Sequence, residues 1–111
     1  MKTERAWGCY TVLYEYDPTM KVKELYVEPR KSLSLQRHRE RSEHWTVIEG
    51  GPTVLLGKTS KTLKTHNLTV HDRVDIPVGH WHQLRNDTQY PVKILEIQYG
   101  SGCTEEDIER L

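Results

Sequence analysis

Lysine plus arginine and aspartate plus glutamate each number 16 in this 111-residue chain, giving a formal net charge of zero. No basic block breaks that balance, so nucleic acid and acidic membrane surfaces, which select proteins with a positive footprint, are excluded as partners. The length allows one hydrophobic core and hence a single domain over 1–111, so function must rest on one site or one surface.

At the N-terminus "MKTERAWG" lacks the apolar centre of a signal peptide, and no later apolar run nears the roughly 18 residues of a membrane span. A soluble, cytoplasmic protein is predicted, with its two cysteines, Cys9 and Cys103, reduced. Beyond that segment, stretches rich in Val, Ile, Thr, Tyr and Leu recur about every ten residues between Gly, Pro, Asn and Asp, which is the rhythm of an all-β sandwich or barrel. The predicted strands are "CYTVLYEY" (9–16), "MKVKELYVE" (20–28), "SLSLQRH" (32–38), "EHWTVIEGG" (43–51), "PTVLLGK" (52–58), "KTLKTHNLTV" (61–70), "RVDIPV" (73–78), "HQLRND" (82–87) and "VKILEIQYG" (92–100). Only the last stretch, "CTEEDIERL" (103–111), carries helical spacing, with Thr104 as N-cap and acidic residues in the first turn.

Alternation along these strands determines which side chains share a face. Gln36 and His38 fall together, and Glu43 follows after a gap suited to a tight turn, so a hairpin can aim three ligand atoms at one point. His82 follows a Pro-x-Gly turn in "PVGHWH", where an imidazole can be presented from an opposite strand. One amide oxygen, two imidazoles and a carboxylate form a mixed N/O set suited to zinc, iron, manganese, nickel or cobalt, and poor for calcium. His44 alternates away from Glu43 and reads as a supporting residue, whereas His66, His71 and His80 read as surface histidines. Lys23 shares a face with Leu25 and Val27, so it points either into the core side or into a pocket. Trp45 reads as core and Trp81 as a cavity rim.

The spacing of these ligand-type residues resembles the two-part cupin signature, G-x5-[HQ]-x-H-x4-E-x6-G followed by G-x5-P-x-G-x2-H-x3-N. Gln36, His38, Glu43 and Gly50 match the first half, and Pro77, Gly79, His82 and Asn86 match the second. Arg30 and His71 stand where each half usually opens with glycine. Over nearly its whole length, through "LSLQRHRERSEHW" and "EIQYG" followed by "EEDIER", the chain is further similar to the type II phosphomannose isomerase domain of bifunctional guanylyltransferase/isomerase enzymes. That resemblance implies a cupin double-stranded β-helix, a jelly-roll barrel, here with a short C-terminal helical segment. It also implies a homodimer that holds one divalent metal, zinc foremost, and interconverts mannose 6-phosphate and fructose 6-phosphate or a closely related phosphosugar.

Such an isomerisation needs a cation at the carbonyl oxygen, a base to carry a proton between C1 and C2, and cations for the phosphate. The resemblance puts Gln36, His38, Glu43 and His82 on the metal, Glu96 or Glu40 as the base, and Arg41, Lys23 and Arg85 on the substrate. The family commonly has histidine where this chain has Glu40, and arginine where it has Gln83. Those departures keep two alternatives open: a non-catalytic cupin that binds a metal or a sugar, and another metal-dependent cupin enzyme such as an epimerase or oxygenase.

Overall fold

Eleven strands and no helix make up residues 2–111, the part of the chain described by the computed structural model. They are β1 (Lys2–Arg5), β2 (Gly8–Tyr16), β3 (Met20–Val27), β4 (Gln36–Arg37), β5 (Arg41–Glu49), β6 (Thr53–Gly57), β7 (Lys64–Asn67), β8 (Arg73–Ile76), β9 (Trp81–Arg85), β10 (Val92–Gly100) and β11 (Glu109–Arg110). One antiparallel sheet has the order β1-β2-β3-β10-β5-β8 and the other β11-β4-β9-β6-β7. Sequence-distant strands therefore lie side by side, as in the β barrel expected from the sequence. Cys9 and Cys103 are free thiols.

Each of the nine predicted strands overlaps an observed one, and the differences have local causes. In "SLSLQRH" only Gln36 and Arg37 form a ladder, because the preceding backbone groups pair singly: Leu33 N–H donates to the Leu84 carbonyl at 2.9 Å, and Leu35 accepts from Leu111 N–H at 3.1 Å. β1 escapes a pattern search because "KTER" has no apolar alternation; it is an edge strand held by its register with β2.

The expected C-terminal helix is replaced by an extended strap ending in β11, which pairs with β4. A helix of so few residues is marginal in water, and its backbone groups find better partners in the barrel. The Thr104 carbonyl accepts from Arg41 Nη1 at 2.7 Å, and the Asp107 carbonyl meets His38 Nδ1 at 2.6 Å. The Asp107 carboxylate accepts the Arg39 and Glu40 amides at 2.9 and 2.8 Å. Within a helix, Leu111 N–H would serve the Asp107 carbonyl; instead it serves Leu35.

Register explains how one barrel holds both an apolar core and a polar site. Three neighbouring strands, β3, β10 and β5, place inward side chains in cross-strand rows. Val27 pairs with Val92, and Leu25 with Ile94 and Val47, all buried. The next row is Lys23, Glu96 and Trp45, and the next sets Gln98 beside Glu43. β3 and β10 thus change from apolar to polar at one level, and β5 follows one row later, after Trp45. Val54, Ile76 and Leu84 belong to the same hydrophobic cluster, each fully buried aliphatic side chain contributing about 1.5–3 kcal/mol.

Arg30 and His71, the two residues at glycine positions of the motif, adopt left-handed backbone conformations, with φ of 63° and 76°. The turns keep the geometry that glycine adopts freely, although side chains there are strained. Gly79, in the Pro-x-Gly turn, has φ of 80° and donates its N–H to the His38 carbonyl at 2.8 Å, tying the turn before His82 to the residue that follows β4.

Candidate metal centre and cavity

At the polar level of the barrel, His38, Glu43 and His82 bring one ligand atom each to within 4.8 Å of one another, and all three residues are buried. They arrive from three places: the turn after β4, the inward face of β5, and β9. His38 Nε2 lies 3.1 Å from Glu43 Oε2, and His82 Nε2 lies 3.7 Å from Glu43 Oε1. The other ring nitrogens are committed elsewhere. His38 Nδ1 faces the Asp107 carbonyl and His82 Nδ1 faces the His80 carbonyl at 3.0 Å. A carbonyl can only accept, so both Nδ1 atoms carry the proton and both Nε2 atoms turn toward Glu43. This is how ligating imidazoles are oriented in metal sites. The trio fits a first-row divalent ion. Gln36 lies opposite His82 in the β4/β9 register and borders the same cavity; its amide nitrogen is turned to Ser34, which leaves the carbonyl oxygen as the atom it would offer an ion.

The cavity beside the trio has a volume of about 370 Å³ and is lined at depth by Trp45, Glu96 and Gln98. Burial alone would raise the Glu43 carboxyl. The contact with His38 and the charge of Arg41 outweigh it, holding Glu43 far below the usual carboxylate range. Glu96 goes the other way: burial first, then the charge on Glu43, push it up to about 8 against the pull of Lys23 and Arg41. His82 is held below its ordinary value, mainly by burial, which favours the neutral imidazole a ligand must have. Two carboxylates in one pocket are thus driven apart, one ionised and one able to hold a proton near neutrality, the pattern that separates acid from base roles in active sites.

Of the residues singled out from sequence, Gln36, Lys23, Arg41, Glu43, His82 and Glu96 line this cavity, and His38 completes the ligand cluster. Lys23 is buried against the Tyr10 ring at 4.1 Å and donates to Glu105 at 2.6 Å. Arg41 turns inward, with Nε 3.0 Å from Glu43 and Nη2 3.3 Å from His38 Nε2. Two residues fall elsewhere. The Glu40 side chain is exposed and outside the cavity lining, its backbone carbonyl taking the Ser101 and Gly102 amides. Arg85 is half-exposed outside the cavity and paired with Asp87 at 3.0 Å. Gln83 also faces away, donating to the Leu33 carbonyl at 2.9 Å. Trp81, expected at the rim, is instead buried beneath the Arg37 guanidinium, and His44 pairs with Asp75 across the β5/β8 register.

The sequence reading missed Arg5, Tyr10, Glu105 and Arg110, all of which line the cavity. Arg5 and Arg110 belong to the two strands that were not predicted, so nothing in the local pattern placed them. Tyr10 shares an inward row with Leu25, a relation visible only once β2 and β3 are paired.

A family model described as "Mannose-6-phosphate isomerase C-terminal" matches residues 1–111. The alginate biosynthesis protein AlgA of Pseudomonas aeruginosa is 38% identical over 107 residues, covering 96% of this chain and 21% of that protein. A mannose-1-phosphate guanylyltransferase of Klebsiella pneumoniae is 35% identical over 107 residues, covering 96% of this chain and 21% of that protein. The chain therefore spans about a fifth of the length of these curated relatives. Among solved structures, the capsular polysaccharide assembling protein CapF from Staphylococcus aureus superimposes with a TM-score of 0.84 at 15% identity, covering all of this chain and 32% of that one. That likeness establishes the cupin barrel and leaves the chemistry to the residues.

Proposed function

The chain belongs to the mannose-6-phosphate isomerase C-terminal family, and from that premise we propose that it is a metal-dependent aldose–ketose isomerase acting on mannose 6-phosphate and fructose 6-phosphate or a close relative of that pair. One observation carries the proposal: a buried His38–Glu43–His82 trio shares a cavity with Glu96, a carboxyl pushed up to about 8. A divalent ion, zinc foremost, held by the trio and Gln36 would supply Lewis-acid polarisation of the sugar carbonyl.

The chain's own residues would do the rest. Glu96 takes the proton from one carbon of the C1–C2 pair and returns it to the other, while the hydroxyl proton passes between O2 and O1 of the sugar, and the carbon transfer favours a carboxyl titrating near neutrality. Its oxygens are fixed by the Trp45 indole N–H at 2.9 Å and the Gln98 amide N–H at 2.8 Å, so it needs no reorientation between the two transfers. Lys23 and Arg41 line the cavity as cations for the phosphate end, and Arg5 and Arg110 join them at its wall. Arg85, paired with Asp87 away from the cavity, has no part in this arrangement. The departures from the family pattern at Glu40 and Gln83 lie outside the cavity lining, which supports retained catalysis over a binding-only role.

A homodimer belongs to the same proposal. The outer face of the six-stranded sheet carries one cross-strand row of Tyr14, Val22 and Ile97 and another of Tyr16, Met20 and Tyr99. The three tyrosines are 53%, 64% and 44% exposed, and light scattering of the wild type and of Ile97→Lys tests whether a second copy covers them.

The activity is tested by NMR exchange between mannose 6-phosphate and fructose 6-phosphate, with metal content measured on the same sample. About one divalent ion per chain is expected, with exchange abolished by chelation or by His82→Ala. Undiminished exchange in metal-stripped protein overturns the mechanism.

A further inference from the structure

The mechanism uses only one end of the Gln98 side chain, its amide N–H. The residue lies on the inward face of β10, is 1% exposed and lines the cavity. Its amide N–H meets Glu96 Oε1 at 2.8 Å. In that orientation the carbonyl oxygen, Oε1, is the one buried side-chain polar atom with no hydrogen-bond partner among the described residues. A buried acceptor left unmade costs about 1–3 kcal/mol, so such atoms are few and call for an explanation. A packing role is met as well by leucine or methionine, without the orphan; a role confined to Glu96 needs only the N–H.

We infer that Gln98 Oε1 is a specificity-determining acceptor for a sugar hydroxyl beside the reacting carbons. Placement supports this. Glu96 and Gln98 are successive inward residues on one strand, and Gln98 is in register with Glu43 of the ligand trio. The orphan oxygen therefore stands at the end of the cavity where carbon–hydrogen chemistry would occur. A ligand there meets a fixed acceptor that only a hydroxyl, an N–H or a water can satisfy. Sites of this kind reject an analogue lacking the donor, because the buried acceptor is then left unpaired. The inference rests on the isomerase reading for the choice of sugar and of the carbons, with the hydroxyl at C2 or C3 of an aldose phosphate as the partner.

The test is calorimetric binding of mannose 6-phosphate and its 2-deoxy and 3-deoxy analogues to metal-loaded wild type, Gln98→Met and Gln98→Glu. Wild type should bind one of the two analogues about tenfold more weakly than mannose 6-phosphate. Gln98→Met, which removes the acceptor at similar volume, should bind mannose 6-phosphate about tenfold more weakly than wild type and lose that discrimination. Gln98→Glu, which keeps an acceptor facing the cavity, should retain it. Equal affinity of wild type for all three sugars overturns the inference without any variant, and marks an oxygen that holds only water. An equal loss for all three sugars in Gln98→Met overturns it in favour of a purely structural role. Discrimination as described in a protein that shows no exchange would uphold Gln98 while refuting the isomerase; no binding of any of the three would refute both.

Discussion

Replacing Glu96 by glutamine keeps the side chain's shape and removes its titration, so its effect on stability should depend on pH in a way the geometry fixes. In the metal-free protein the Glu96 carboxyl is pushed up to about 8 by burial and by Glu43, from an ordinary 4.5. The folded chain therefore binds a proton that the unfolded chain has released between those values. The native state holds more protons, so stability falls as pH rises through this window, by about 1.4 kcal/mol per pH unit, and levels off above the folded value. Between pH 6 and 8 the wild type should lose about 2 kcal/mol relative to Glu96→Gln, an upper figure because Glu43 responds as Glu96 ionises. The assay is urea unfolding followed by tryptophan fluorescence, with chelator present, at half-unit steps of pH. With slopes of about 1–3 kcal/mol per molar urea for a domain of this size, the two midpoints should converge or cross by about 1 M over the range. Parallel midpoints across pH 6–8 would refute the assignment of a proton to Glu96, and with it the basis for its role as the proton carrier.

Three other outcomes follow from single contacts. His71→Gly should raise the melting temperature by about 4 °C, since glycine relieves a left-handed conformation worth roughly 1–2 kcal/mol at some entropic cost; a lower melting temperature would mean that His71, at φ of 76°, is not strained. Asp107→Ala removes the carboxylate that receives the Arg39 and Glu40 amides, and so frees the carbonyl that orients His38. Metal affinity, measured by competition with a chromophoric chelator, should fall about 10–100-fold, and an unchanged affinity would show that the strap does not orient the ligand. Burial works against ionised Glu105, but Lys23 prevails and holds it below its ordinary 4.5. Its depressed value means that the strap's stabilisation is complete above about pH 4.5 and is lost as pH falls through the folded value. Amide protection over 104–111 should drop in that range and be already reduced at neutral pH in Glu105→Gln; equal protection in both proteins would show that the ion pair does not hold the strap.

The convergence of His38, Glu43 and His82, with Gln36 at the same cavity, was legible because strand alternation and turn length are local rules. Gln36, His38 and Glu43 needed only a hairpin, and Glu96 with Gln98 only a strand whose inward face was known. The long strands β3, β5 and β10 were legible for the same reason, since buried residues alternate along most of each, whereas in β2 only Gly8 and Tyr10 are buried. What escaped was set by distant partners. The residues of "CTEEDIERL" have helical spacing, but His38, Arg41 and Lys23 claim the Asp107 carbonyl, the Thr104 carbonyl and the Glu105 carboxylate, and no local propensity records those claims. Glu40 was legible as a polar turn residue and illegible in direction, because the turn that places His38 inward sends the Glu40 side chain out.

Arg30 and His71 bear on how departures from a family pattern should be weighed. At both positions the motif's glycine is gone and its backbone conformation remains, so what persists is a constraint on the chain's path. Residue identity at such a point can change at a cost of about a kilocalorie or two per mole while the ligand geometry survives. Glu40 and Gln83 are departures of another kind, side chains that point away from the cavity, so their replacement leaves the cavity walls as they were. A departure at Glu96, Lys23 or His82 would differ from both, because each side chain faces the cavity and shares its charge balance. In this barrel the consequence of a substitution follows from the direction of the side chain and the conformation of its backbone, and by that measure none of these four departures alters the polar lining of the cavity.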